Sequence, residues 1–232
     1  MRAITRCRRA WLAVAIVTLF AGCGKPLEPE VRPEQVMDFA LLYERNCAGC
    51  HGIDGRQGAA QQLNDAVYLA IASDARIEQV VSRGVAGTSM LPFGKSSGGT
   101  LTDDQIRALV AGMRRHWEQP DRLSGVVLPA YSAEDAVGRG SAPGDSDRGQ
   151  QAYATHCARC HGPGGRGGSA GSIVDEAFLA LTSDQALRTT VITGHAHEST
   201  AGWRGYAPGR PMSPQEISDV VAWIGSHRGR HD

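Results

Sequence analysis

The sequence predicts an all-α chain built from two copies of one small unit. Two observations carry that expectation. First, Cys47-Ala48-Gly49-Cys50-His51 returns as Cys157-Ala158-Arg159-Cys160-His161. Second, apolar residues recur at helical spacing around both motifs, and no stretch keeps the alternating period of a strand. An offset of 110 takes Tyr43 to Tyr153, Gly55 to Gly165, Arg56 to Arg166, Leu69 to Leu179 and Gly84 to Gly194. At the last helix the offset becomes 111 and takes Leu101 to Met212, Thr102 to Ser213, Ile106 to Ile217 and Val110 to Val221. Self-similarity at a fixed offset marks a duplication, so each half predicts the other.

The elements follow in chain order. Val36, Phe39, Ala40 and Tyr43 predict a helix over 36–46 that leads into the first motif. Gly52, Gly55 and Gly58 then make a loop whose backbone can approach a flat ligand closely. Two short helices are expected over 65–72 and 74–83, the second closed by Gly84. The stretch 87–94 mixes apolar residues with turn chemistry and contains Met90. Thr102 is a credible N-cap for a helix over 103–117, with Ile106, Leu109, Val110 and Met113 on its apolar face. Residues 119–146 hold Pro120, Pro129 and Pro143 with no sustained period and read as a linker. Its apolar part, 123–131, is expected to lie along one domain. The pattern then repeats: a helix over 147–156, a glycine loop from Gly162 to Gly168, short helices over 175–181 and 183–192 with Gly194 at the stop, and a Ser213-capped helix to His227. The tail 228–232 is polar.

C-x-x-C-H is the attachment signature of c-type haem. Two thiols at that spacing form thioethers to the two vinyl groups of one porphyrin, and the adjacent histidine becomes the proximal iron ligand. A zinc site would want both cysteine pairs in one small unit, and a thioredoxin-like pair would want a βαβ context; neither is present. The composition fits the haem reading. Aromatic residues are 6% of a 232-residue chain with 29 glycines. Two domains so poor in large side chains would be marginal without another apolar filler, and a porphyrin in each core supplies one. Of six cysteines, four sit in the motifs and Cys7 and Cys23 lie in the N-terminal segment, so none remains for a structural disulfide.

Residues 1–22 carry four arginines, then an apolar run from Trp11 to Phe20 of signal-peptide length. The run ends Leu19-Phe20-Ala21-Gly22-Cys23, which resembles the lipobox of bacterial lipoproteins, with Phe20 where leucine is usual. That resemblance implies cleavage before Cys23 and a lipid on its sulfur; the alternative is an ordinary secretory signal and a soluble periplasmic protein. Removing the four arginines from 24 basic residues leaves 20 against 24 acidic ones, a net charge of −4. No basic cluster follows Arg9, which argues against nucleic acid. Residues 23–35, with Pro26, Pro29 and Pro33, form a semi-extended tether.

From residue 36 to 227 the chain resembles the class I c-type cytochromes, in a form with two tandem domains and two haems. The resemblance implies an all-α fold, two covalently bound haem c groups, and one-electron transfer with no catalytic residues of its own. It implies domains over 36–118 and 146–228, joined by a linker over 119–145 and followed by a tail over 229–232. Cofactor-binding residues are then Cys47, Cys50, His51, Cys157, Cys160 and His161. Met90, 39 residues after His51, stands in the loop where the family carries its distal methionine, with Leu91 between it and Pro92. Methionine–histidine ligation raises the reduction potential. In the second half the equivalent position is Thr200, a poor iron ligand. His197, Met212, His195 and an open or water-bound iron stay as alternatives there. Met212 replaces Leu101 before the helix cap, where a packing residue belongs. Trp203 and Phe93 are expected to line the haem pockets, Trp117 and Trp223 to pack helices, and Arg56 and Arg166 to be surface residues or propionate partners. His156, directly before Cys157, is expected to point away from the iron. The expected partners are redox proteins with a basic docking face and a membrane reached through lipid on Cys23. A haem enzyme or gas-binding protein using an open second iron is the alternative.

Overall fold

The computed structural model describes residues 31–194 and 202–229. The signal segment, the lipobox with Cys23, the loop positions His195, His197 and Thr200, and residues 230–232 lie outside the described residues. The chain divides into two compact units, one ending at Gln35 and one beginning at Val36. Of the first, the described part includes a 3-10 turn, Pro33–Gln35.

The regular elements among the described residues from Val36 onward are helices, and the only ladder pairing among them is an isolated bridge between Gly94 and Leu101. The first half holds α1 (Phe39–Asn46), α2 (Ala48–His51), α3 (Ala66–Ile71), α4 (Asp74–Arg83) and α5 (Asp103–Trp117). A connecting helix α6 (Ala133–Gly138) follows. The second half holds α7 (Ser146–His156), α8 (Ala158–His161), α9 (Glu176–Ala180), α10 (Asp184–Thr193) and α11 (Pro214–Gly225).

Side-chain caps set most helix starts. Asp38 accepts from the Leu41 N–H, so α1 begins at Phe39 rather than at Val36 as the periodicity predicts. Asp65 and Asp175 cap α3 and α9, and Ser73 and Ser183 cap α4 and α10. These residues are caps because a short side-chain oxygen satisfies an N–H that the first turn leaves unpaired. Thr102 with Gln105, and Ser213 with Glu216, form complete capping boxes on α5 and α11. Gly84 and Gly194 close α4 and α10 at φ 66° and 80°, where a β-carbon would be strained.

The long helices carry the cores. α1 packs on α5 and α7 on α11, each burying an apolar stripe whose large side chains contribute about 1.5–3 kcal/mol apiece. Ile106, Leu109, Val110 and Met113 of α5 are buried as expected. In the second half Ile217, Val220, Val221 and Ile224 are buried with Trp223. Met212 is buried among them, and its N–H donates to the Trp203 carbonyl at 2.8 Å. Leu101 donates to the Phe93 carbonyl at the same distance. The step in offset between those two pairs is thus absorbed inside the loop, with both ends in equivalent places.

The linker is more structured than its composition predicts. A 3-10 turn, Pro120–Leu123, and α6 interrupt it, and α6 packs on α11. Ser132 caps α6 from a stretch that has no period because it is only six residues long. Val126 and Leu128 pack on the second-half core and Tyr131 on the first-half core, so 123–131 touches both halves rather than one. Arg188, buried in α10, donates to the Ala130 and Tyr131 carbonyls and to Ser218 Oγ. Val67 and Ile71 of α3 also pack against the second-half core. The two halves therefore share a packed wall.

Candidate functional site

Each C-x-x-C-H motif is a one-turn helix, α2 or α8, hung from the end of α1 or α7. Cys47 and Cys157 are the C-caps of the longer helices, and their N–H groups donate to the carbonyls of Tyr43 and Tyr153 at 2.8 Å. Tyr43 Oη donates to the Gly52 carbonyl at 2.9 Å, and Tyr153 Oη makes the same bond to Gly162. Burial raises the pKa of both phenols, which keeps them neutral donors. One tyrosine per half thus ties the incoming helix to the residue after the histidine.

The glycine loop closes back on the motif. A β-carbon on Gly58 would lie 2.2 Å from the Cys50 carbonyl, and one on Gly168 would lie 2.6 Å from that of Cys160. The Cys50 and Cys160 carbonyls accept from Ala60 and Ala170 at 2.9 and 2.8 Å. The close approach expected of these glycines is therefore made to the motif's own backbone.

The histidines are held alike. His51 Nδ1–H donates to the Gln61 carbonyl at 2.6 Å, and His161 Nδ1–H to the Gly171 carbonyl at 2.8 Å. A carbonyl only accepts, so Nδ1 carries a proton, which leaves Nε2 as the nitrogen that can offer a lone pair in the neutral ring. Burial lowers the His51 pKa against the effect of that hydrogen bond, which favours the neutral imidazole a metal needs.

Cys47, Cys50, Cys157 and Cys160 are free thiols. Burial, then the neighbouring Cys50 or Cys160, pushes the Cys47 and Cys157 thiols up to about 12. Redox C-x-x-C pairs work with a depressed pKa, so these pairs are unlike them. No group of three or more His, Cys, Asp or Glu stands at metal-holding distance among the described residues, as a zinc site requires. Two thiols and an imidazole held through Nδ1 in each half fit a covalently attached haem.

Met90 is half-buried in the loop after α4. Its N–H donates to Thr88 Oγ1 at 3.1 Å, and its carbonyl accepts from Val85 N–H at 2.9 Å. Gly84 is required beneath it, because a β-carbon there would lie 2.6 Å from the Met90 carbonyl. Trp203 and Phe93 occupy matching places beside their cores. Trp117 and Trp223 do more than pack helices. Trp117 meets Tyr43 edge-on with centroids 5.0 Å apart, Trp223 stacks on Tyr153 at 4.2 Å, and the two reach Gly55 and Gly165, where a β-carbon would meet their rings at 3.0 and 3.3 Å. Arg56 donates to the Asn64 carbonyl and Oδ1 at 2.9 and 3.1 Å. His156 is fully buried, with Nε2 3.5 Å from Glu216 Oε1 and no hydrogen-bond partner on either nitrogen. Two positioning groups were not legible in the sequence: Asp219, which joins α11 to the start of α7, and Gln61, whose backbone oxygen holds His51.

Known proteins are similar to both halves of the chain. Residues 146–228 match the model of the cytochrome c family, and residues 34–111 match that of the cytochrome c oxidase, cbb3-type, subunit III family. The chain is 28% identical over 199 residues to the cbb3-type cytochrome c oxidase subunit FixP of Bradyrhizobium diazoefficiens, covering 81% of this chain and 59% of that one. It is 28% identical over 172 residues to the cbb3-type subunit CcoP of an Azospirillum species, covering 67% and 50%. It thus spans between half and three fifths of the length of these relatives. Among solved structures, the c-type cytochrome KustC0563 is 31% identical, covering 35% of this chain and 99% of that one, with a TM-score of 0.31.

A helical fold with a haem-attachment motif under each N-terminal helix defines a c-type cytochrome. The chain belongs to that family in its dihaem form: two tandem class I cytochrome c domains, carrying two covalently bound haem c groups.

Proposed function

We propose that this chain is a single-electron carrier, acting as a membrane-tethered subunit or direct partner of a cbb3-type oxidase. The observation that carries the reading is the matched pair of proximal histidines, each with Nδ1 tied to a carbonyl and Nε2 free, in two halves that share one packed wall. The haem supplies a one-electron iron couple when bound. The protein's part is to fix the ligands and exclude water, so that little rearranges when the charge changes.

In this reading the domains run over 36–118 and 146–228, with a linker over 119–145, a tether over 23–35, a cleaved leader over 1–22 and a tail over 229–232. Cys47 and Cys50 hold the first haem and Cys157 and Cys160 the second. His51 and His161 are the proximal ligands and Met90 the distal ligand of the first iron. His197 or Met212 closes the second iron. Met212 sits in the core among Trp203 and Ile217, which favours His197. Cys23 carries the lipid, and the folded part stands on the periplasmic side of a bacterial membrane. Among the described residues no helix is long and apolar enough to cross a membrane. The net charge of −4 after loss of the leader favours a partner with a basic face. The relatives named above give no support to catalysis at an open second iron.

Carbon monoxide binding to the fully reduced protein, followed by visible absorption, tests the reading. Absence of binding at both haems is expected, because two firmly six-coordinate irons suit electron transfer. Stoichiometric binding at one haem, with a second gained in Met90→Ala, would instead move the second haem to ligand chemistry. Release of Cys23→Ser from membranes tests the anchor.

A further inference from the structure

Gln61 makes contacts on both sides of the wall between the domains. Its backbone oxygen accepts from His51 Nδ1–H at 2.6 Å. Its side-chain Nε2 donates to Thr193 Oγ1 at 3.3 Å, and its Oε1 accepts from Thr190 Oγ1 at 3.5 Å. Both threonines lie on α10, in the second domain, about 130 residues away in sequence. Thr193 Oγ1 spends its proton on the Thr189 carbonyl at 3.0 Å, which leaves its lone pairs for Gln61. Val67 and Ile71 of α3 also pack on the second domain's core, and the Gln61 contact is itself part-buried. The repeat makes the asymmetry plain. The residue equivalent to Gln61 is Gly171, whose carbonyl holds His161 but which has no side chain to anchor it.

We infer that Gln61 is a positioning residue through which the second domain sets the strength of the His51 Nδ1–H bond, and with it the reduction potential of the first haem. This rests on the electron-carrier reading. The physics is that of an outer-shell hydrogen bond. A firmly held acceptor at Nδ1 gives the imidazole more anionic character, makes it a stronger donor to iron, and favours the ferric state. The carbonyl is only as firmly placed as the residue that bears it, and here the second domain holds that residue by its side chain. The second haem lacks such a tie and is indifferent to the wall.

The test uses the holoprotein with Gln61→Ala, Thr193→Val and the double variant. Spectroscopically resolved redox titration reads each haem, and proton exchange at His51 Nδ1–H in the reduced protein is followed by NMR. Gln61→Ala is expected to shift the first haem's ferric–ferrous equilibrium about tenfold toward ferrous, an upward shift of about 59 mV for one electron. Nδ1–H exchange should quicken by about the same factor, and the second haem should not move. Thr193→Val should act in the same direction, and the double variant should do no more than the larger single, because both changes cut one connection. An unmoved first haem and unmoved exchange in Gln61→Ala would overturn the inference. So would a shift in Gln61→Ala that is shared neither by Thr193→Val nor by Thr193→Val combined with Thr190→Val, which would make the effect local. Failure of the electron-carrier reading looks different: the wild-type protein would not show two reversible one-electron waves, while the exchange measurement would still decide the role of Gln61.

Discussion

Phe39 stands over Gly112, so closely that a β-carbon on the glycine would lie 2.2 Å from the ring. The second domain makes the same helix crossing with the residues exchanged. Gly149 takes the place of Phe39, and Trp223 takes that of Gly112, its Cβ lying 2.6 Å from a β-carbon on Gly149. Each crossing seats one aromatic residue against one glycine, through the ring at Phe39 and through Cβ at Trp223, and which helix supplies the aromatic residue is opposite in the two halves.

Filling either notch should destabilise its domain. Alanine at a helical glycine gains up to about 1 kcal/mol of propensity, but an overpacked core loses about 1–3 kcal/mol. Gly112→Ala should lower the unfolding midpoint of the holoprotein, and Phe39→Leu should restore part of it by opening room. Gly149→Ala should cost more, because the obstacle there is the Asp219 carbonyl, 2.0 Å from the new β-carbon and unable to move. Denaturant unfolding of the three variants checks the order.

One arginine serves as a second clasp in each domain. Arg114 donates to the carbonyls of Leu69 and Ala72 and pairs with Asp74 at 2.7 Å. Arg228 donates to the carbonyls of Leu179 and Thr182 and pairs with Asp184. The partners are equivalent in the repeat, though the arginines are not. Arg114→Ala leaves two carbonyls short of a charged donor and should cost about 2 kcal/mol. Arg114→Lys should recover less than half, since one ammonium cannot reach three acceptors in the guanidinium's fork. Thermal unfolding read at the haem absorbance measures both.

Asp219 gives the second domain a pH dependence. Its buried carboxylate accepts from the Asp145 N–H, Gln215 Nε2 and Arg148, all at 2.9 Å. Burial alone would raise its pKa, but Arg148, Asp145 and Gln215 outweigh burial and hold it below the usual range. A depressed folded pKa adds stability that is fully present above the ordinary carboxylate value of about 3.9 and is lost as pH falls through the lower folded value. The unfolding temperature should therefore drop steeply below about pH 4, and Asp219→Asn should be less stable at neutral pH and show a shallower acid slope. Identical slopes would remove Asp219 from this role.

Met90→Ala should lower the potential of the first haem only, because a thioether favours ferrous iron. The reduced variant should also gain carbon monoxide binding at that haem. An unchanged potential would mean that Met90 is not the ligand.

Local structure and the haem-attachment motifs are legible from residue order alone. The repeated cysteines and histidines, the caps at Thr102 and Ser213 and the glycine stops at Gly84 and Gly194 act within one turn of their own positions, so spacing alone reveals them. The helical stripe of Ile106, Leu109, Val110 and Met113 is periodic and equally legible. Two details were not: α6 has no counterpart in either repeat and is too brief for a period of its own, and α1 starts at Phe39 because Asp38 caps it. The tertiary structure alone decided what depends on chain segments meeting. Arg114 and Arg228 cannot be matched by any constant offset, since one projects from within α5 and the other from beyond the end of α11. Trp117 and Trp223 likewise reach equivalent glycines from different helix positions. The tie from Gln61 to Thr193 spans the wall between two domains, and no period within either domain encodes a contact that exists only where their surfaces pack.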